Sequence, residues 1–283
     1  MKILTYIFFI MSIAGFAATS FANSECDVSG LNDDQAALAY AGCLGDPNPE
    51  IRDKIAYEGL VTLLRGNRVS KRGIQDLQQK CAGYLRGDDD KGGFLKPFAA
   101  LCLAEVARTD RIAPHFNEAE RTEIVKIATD YMKSITDYRG FDDVYGWRHG
   151  VAHSADLLMQ LSLNDHIGAE HHREILAAIA AQLSPRGHFY TYGEPARLAR
   201  PVLFMAMQGT LNEEEWITWF ASIVKPTPEM DKWNDAFSSN EGLAKRHNLT
   251  AFLSALHLNI SNSENENLKF LRPGLNKALE QLQ

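Results

Sequence analysis

About eleven runs of helical periodicity follow one another along this 283-residue chain, and no stretch alternates apolar with polar residues for more than a few positions. That pattern excludes a sheet-based core and predicts an all-α fold. The runs fall near 33–44, 49–64, 70–85, 97–108, 117–135, 146–163, 170–183, 195–208, a short one opening at 212, 241–258 and 264–282. Ser70, Asn117 and Asn212 read as N-caps, Glu118 and Glu120 complement the first turn that Asn117 opens, and Pro49, Pro97 and Pro195 stand where a first turn tolerates proline. Pro273-Gly274 predicts a break or kink in the last run. Helices of this length joined by short loops suggest stacked αα-hairpins in a HEAT- or ARM-like superhelix, with a closed α/α toroid as the alternative.

The N-terminus reads as an export signal. Lys2 supplies the positive charge, residues 3–18 are almost wholly apolar, and Ser20-Phe21-Ala22 is a small-x-small cleavage site. Cleavage after Ala22 leaves about 260 residues, read as one helical domain over 23–283. No later segment is long and apolar enough to span a bilayer, so the expected product is exported, periplasmic or secreted, without stable membrane insertion. The formal net charge is −7 and no basic cluster suggests nucleic-acid binding. Four cysteines, Cys26, Cys43, Cys81 and Cys102, fit two disulfides in an oxidising compartment. Of three connectivities, Cys26–Cys43 and Cys81–Cys102 tie neighbouring segments; buried free thiols are the alternative. The Asp88-Asp89-Asp90 run with Lys91-Gly92-Gly93 reads as a solvated turn, since it lacks the alternating ligands and final Glu of an EF-hand.

Chemistry concentrates in Gly146-Trp147-Arg148-His149-Gly150-Val151-Ala152-His153-Ser154-Ala155-Asp156-Leu157-Leu158. Read as a helix, it places His149, His153 and Asp156 on one face, with Trp147 and Val151 on a neighbouring apolar face. Three readings stay open for that stripe: a divalent-metal site, acid–base catalysis with Asp156 orienting a histidine, and a structural polar network. Three ligands on one helix wrap an ion poorly, so the expectation is no tightly bound metal or other cofactor, with Asp156 bonded to a histidine ring or to Arg139. Arg139 and Asp142 stand at the preceding junction, and Asp142 or Asp143 suits a helix cap. An aromatic-rich loop, 188–192, runs into a helix carrying Glu194 and Arg197, while Arg246 and Asn248 interrupt an otherwise apolar helix. The side chains of Arg139, His149, His153, Asp156, Glu194 and Arg197 are expected to meet in one cavity. No Gly-x-Ser-x-Gly elbow, phosphate loop or dinucleotide fingerprint is present.

The ordered set Asp137-x-Arg139-Gly140, Gly146-Trp147-x-His149-x-x-Ala152-His153-x-Ala155-Asp156-Leu157-Leu158, Gly193-Glu194-x-x-Arg197-Leu198, and Arg246-x-Asn248 with Phe252-Leu253 resembles a bacterial family of unknown function, DUF2785. The resemblance covers about 130–260 and implies an all-helical fold with no established activity. The export signal and the four cysteines depart from the family's usual pattern and point away from a cytoplasmic role. Two functions follow as expectations: a hydrolase or lyase acting on an envelope glycan or peptide, or a non-catalytic helical-repeat module that binds a peptide, glycan or protein. Exposed aromatics such as Trp216, Trp219 and Trp233 would favour the second.

Overall fold

The structure, a computed structural model, describes residues 26–90, 92–226 and 230–282. The signal segment and its cut after Ala22 lie outside the described residues, as does Lys91.

The fold is all-α. Eleven α-helices are described: α1 (Asp33–Gly42), α2 (Glu58–Arg65), α3 (Lys71–Arg86), α4 (Leu95–Ile112), α5 (Glu118–Ser134), α6 (Gly150–Ser162), α7 (Ala169–Gln182), α8 (Glu194–Gln208), α9 (Glu213–Ile223), α10 (Asn240–Ser261) and α11 (Arg272–Gln281). A π-helical stretch, Glu50–Tyr57, runs straight into α2, and short 3₁₀ segments, Trp233–Ser238 and Glu266–Leu271, precede α10 and α11. The three expected caps act as read. The Ser70 hydroxyl accepts from the Gly73 N–H, and Asn117 and Asn212 form reciprocal capping boxes with Glu120 and Glu215.

The helices form two rows. In one, α4 packs on α6, α6 on α8 and α8 on α10; in the other, α3 touches α5, α5 packs on α7, and α9 packs on α11. Contacts run in file from α1 against α2 and α3 to α11 against α9 and α10. Leu77, Leu103, Leu157, Ile179, Val202, Phe220 and Phe252 are fully buried between them. No helix among the described residues is long and apolar enough to cross a membrane. Cys26 pairs with Cys43 and Cys81 with Cys102 at disulfide distance, with Cα separations of 5.9 and 6.5 Å.

Three details differ from the sequence reading. First, Phe141–Asp142 (β1) and Gly146–Trp147 (β2) form an antiparallel hairpin, Phe141 opposite Trp147 and Asp142 opposite Gly146. Strands of two residues are too short to show a period of two. Second, α6 starts at Gly150 rather than near 146, because the hairpin takes up the preceding residues. Third, the last run breaks between a 3₁₀ segment and α11 at 271/272. Pro273 therefore sits in the first turn of α11, where its missing N–H costs nothing.

Candidate functional site

The site is built by the segment 137–149 and the loop before α8. After α5, Asp137 closes on its own neighbour: its Oδ1 accepts from the Arg139 backbone N–H at 3.1 Å and from Arg139 Nε at 2.8 Å. At the hairpin tip, Asp142 Oδ1 accepts from the Val144 and Tyr145 N–H groups at 2.9 and 2.8 Å, so its carboxylate makes the turn rather than capping α6. The ladder continues past β2, with the Arg148 N–H donating to the Gly140 carbonyl and the His149 N–H to the Arg139 carbonyl, both at 3.0 Å. Gly140 is required here, because a side chain would fall on the ring of Tyr192.

His149 is where hairpin and helix meet. It occupies the N-cap of α6 in the left-handed region, φ 54° and ψ 42°. Few non-glycine residues adopt that conformation, and strained ones gather at functional sites. The stripe expected on one continuous helix is therefore bent: His153 and Asp156 lie within α6, while His149 caps it. The His149 and His153 rings still approach to 5.7 Å between centroids. Trp147, expected in the core, is instead 37 % exposed and stacks on the His149 ring at 4.7 Å.

Glu194 faces the same place from α8. The backbone turns through the left-handed Gly193 (φ 87°), which sets Glu194 at the first helical position. Its Oε2 accepts from the Tyr192 N–H at 3.0 Å, and its Oε1 lies 3.6 Å from His149 Nε2. That last distance is an ion-pair separation, longer than a hydrogen bond, and His149 Nε2 is buried without a hydrogen-bond partner. Burial pushes the Glu194 carboxyl up, but His149 and the Tyr192 N–H more than reverse it and hold the group below the usual glutamate range.

The remaining members pair differently from expectation. Asp156 binds neither a histidine nor Arg139. Its Oδ2 accepts from Arg197 Nη1, and Arg200 Nη1 stands 3.7 Å from its Oδ1, so α6 and α8 are bridged by charge. Arg197 thus serves Asp156 rather than Glu194. His153 is buried against Phe98, with rings edge-on at 5.2 Å. Asn248 is a backbone clamp: its Oδ1 accepts from the Tyr190 N–H and its Nδ2 donates to the His188 carbonyl, both at 2.9 Å. Arg246 leaves the site, donating to the Leu282 carbonyl at 2.7 Å and lying over Phe237. Of the six side chains expected in one cavity, His149, His153 and Glu194 are buried between α6 and α8, with the half-buried Asp156–Arg197 pair bridging the same two helices. Arg139 stands apart, in the adjoining cleft.

That cleft has a volume of about 570 Å³ and is lined by Tyr138, Arg139, Phe141, Arg148, His188 and Tyr192, among others. A hollow of about 240 Å³, lined by Asp90, Lys96 and Tyr131, shares Asp137 and Arg148 with it. His149, His153 and Glu194 line neither; they lie behind the aromatic wall. Among the described residues, no three His, Cys, Asp or Glu side chains are grouped to hold a metal ion. Trp216, Trp219 and Trp233 do not line this cleft, although Trp219 borders a separate hollow of about 470 Å³ beside Arg173 and Glu215. Trp216 is fully buried, and the Trp219 and Trp233 indoles donate to the Leu176 and Val224 carbonyls.

Sequence reasoning gave no role to Arg52, Arg148 or Tyr192. Arg148 stood in plain view between Trp147 and His149, and the exposed aromatics of 188–192 offered a cue. Arg52 gave no signal. Its partners include the Tyr145 carbonyl, 93 residues away.

Two buried imidazoles make the fold sensitive to acid. Burial, then the nearby His149 and Arg197, push His153 well below the usual histidine range, while a bond to the Pro97 carbonyl opposes this. Burial, then His171, lowers His172 to about 4. Between pH 6.5 and these lower values the unfolded chain binds more protons than the folded one. Stability is therefore full above about pH 6.5 and falls as the pH drops toward 4. Urea midpoints should decline over that window, and His172→Gln should flatten the decline. A wild-type midpoint constant from pH 7 to 4.5 would contradict the assignment.

No curated protein and no solved structure matches the chain. One family model does match it, over residues 82–258 and so over more than half its length, and its description reads "protein of unknown function (DUF2785)". The match spans the hairpin, α6, the Glu194 loop and most of α10, and the chain belongs to that family.

Proposed function

We propose that this is an exported glycan-binding protein whose ligand lies in the cleft between the 141–147 hairpin and the loop before α8. The observation that carries the reading is an exposed aromatic cluster at one cleft: Phe141 and Tyr192 line it and Trp147 packs edge-on to both, all three between 37 and 46 % exposed. Large aromatics left together at a surface mark a binding site. Flat aromatic faces suit the C–H face of a sugar ring, and the polar cleft wall suits its hydroxyls. The buried cluster then acts as scaffold: His149 backs Trp147, Glu194 fixes the Tyr192 backbone, and Asn248 fixes the backbone of the same loop. The apolar segment at 3–18 and the two cystines support export. Calorimetric titration with neutral and acidic oligosaccharides tests the reading. Trp147→Ala and Tyr192→Ala should each weaken binding by about fivefold or more, with little change in melting temperature. Binding of no oligosaccharide at millimolar concentration, or unaltered affinity in both variants, would refute it.

One observation favours a second, catalytic reading. His149 combines a left-handed backbone with a buried Nε2 that lacks a hydrogen-bond partner and lies 3.6 Å from the Glu194 carboxylate. In that reading His149 is the general base, Glu194 rather than Asp156 orients it, and the glycan is cleaved by hydrolysis or elimination. Its mark would be product formation that disappears in Glu194→Gln while oligosaccharide binding remains.

A further inference from the structure

We infer that the sugar bound in this cleft carries a carboxylate, and that Arg148 is the residue that holds it. The inference rests on the glycan reading above and adds the class of glycan.

The arginines around the site are not equivalent. Arg52 is taken by Asp53 and by three carbonyls, Arg197 by Asp156, and Arg139 by Asp137. Arg148 differs from all three. Its Nε donates to the Gly92 carbonyl at 2.9 Å, and its guanidinium lies over the Phe94 ring at 4.1 Å. Those two contacts fix the plane of the group while using only one of its five donors. Among the described residues no carboxylate stands within ion-pair distance of it, and its two Nη groups have no hydrogen-bond partner. It lines both the cleft and the adjoining hollow, the space a ligand would enter.

The surroundings leave this cation undercompensated. Burial weighs most against its charge, followed by the neighbouring Arg139 and, more weakly, Arg52. Asp137 and Asp142 act in the other direction. Both are already engaged: Asp137 is held by Arg139, and Asp142 accepts the N–H groups of the hairpin tip. An incoming carboxylate would pair with two parallel N–H donors that are already in position, so little side-chain freedom is lost on binding. Phe141 of the hairpin and Tyr192 line the same cleft, which places a charged substituent beside a stacked ring, as in a sugar acid.

The test uses the mature protein and five probes in calorimetric titration: oligogalacturonate, its methyl ester, a neutral cello-oligosaccharide of equal length, a sulfated oligosaccharide and polyglutamate. The acid should bind about tenfold or more tightly than its ester, the value of a charged hydrogen-bonded pair. Added salt should narrow the difference. Arg148→Gln should abolish it, and Arg148→Lys should keep part of it. Thermal melting shows whether each variant is folded; if Arg148→Gln is not, the Arg148→Lys ratio decides. Equal affinity for acid and ester overturns the carboxylate assignment and leaves the glycan reading standing. An undiminished preference for the acid in folded Arg148→Gln overturns the role of Arg148. Tight binding of a sulfated oligosaccharide but not of the uronate overturns the carboxylate. Binding of polyglutamate alone, or of no probe, overturns both this inference and the glycan reading.

Discussion

Replacing Arg52 with alanine should cost about 3–5 kcal/mol of stability, the range for removing one partner of a buried ionic network. The side chain is fully buried in the π-helical stretch before α2. Its Nε donates to Asp53 at 2.8 Å, its Nη1 to the Asp46 and Pro47 carbonyls, and its Nη2 to the Tyr145 carbonyl at 2.9 Å. Its guanidinium also lies 4.3 and 4.8 Å from the Phe94 and Phe98 ring centroids. Truncation would strand three carbonyls and a carboxylate and open a void between two aromatic rings. Lysine cannot replace it, because one ammonium cannot reach that many acceptors in a plane. Since Tyr145 is in the hairpin, the same change should speed hydrogen exchange of the Arg148 and His149 amides. A loss below about 1 kcal/mol, or unchanged exchange, would show that the hairpin stands without this arginine.

Asp110→Asn should be comparably costly, about 3–5 kcal/mol at neutral pH. The Asp110 carboxylate gathers a corner of the fold. Oδ1 accepts from the His115 and Phe116 N–H groups at 2.7 and 2.9 Å, and Oδ2 accepts from Arg121 Nε at 2.7 Å and Asn164 Nδ2 at 3.0 Å. Burial alone would raise this carboxyl; Arg121 and the two backbone donors hold it below the usual aspartate range. An amide in its place offers one acceptor where two are needed and leaves buried Arg121 uncompensated. The sign with pH follows. The folded value lies below that of the unfolded chain, so the contribution is complete above about pH 4 and is lost as pH falls through the folded value. Wild type and variant should therefore converge in stability under strong acid. Denaturant titrations at pH 7 and pH 2.5 would measure it; an equal gap at both would contradict the assignment.

The parts of the fold written in local chemistry were legible. Ser70, Asn117 and Asn212 act within three residues of themselves, and the 3.6-residue periods of most helices survive into the structure within a few residues. All four cysteines pair with near neighbours in sequence. What escaped was set by distant partners. The apolar spacing around Trp147 continues smoothly into α6, so nothing local signals that a hairpin takes these residues and that His149 turns left-handed. The histidines and acids of the site were recognised as a set, but their pairing depends on how α6 meets α8. Asp156 finds Arg197 41 residues on, and Glu194 finds His149. Which side of Trp147 faces solvent depends likewise on the loop that Asn248 holds.

Family membership begins at residue 82, yet the physical unit does not begin there. Cys81, one position earlier, is bridged to Cys102 inside the matched region, and Arg52, thirty positions earlier, fills the space beneath the hairpin. Domain boundaries normally fall where few contacts cross. Here a cross-link and a buried cation both cross, so the segment before residue 82 is less an appendage than the support on which the hairpin rests. Relatives in which that support is built from other residues would have to hold the same hairpin by different means.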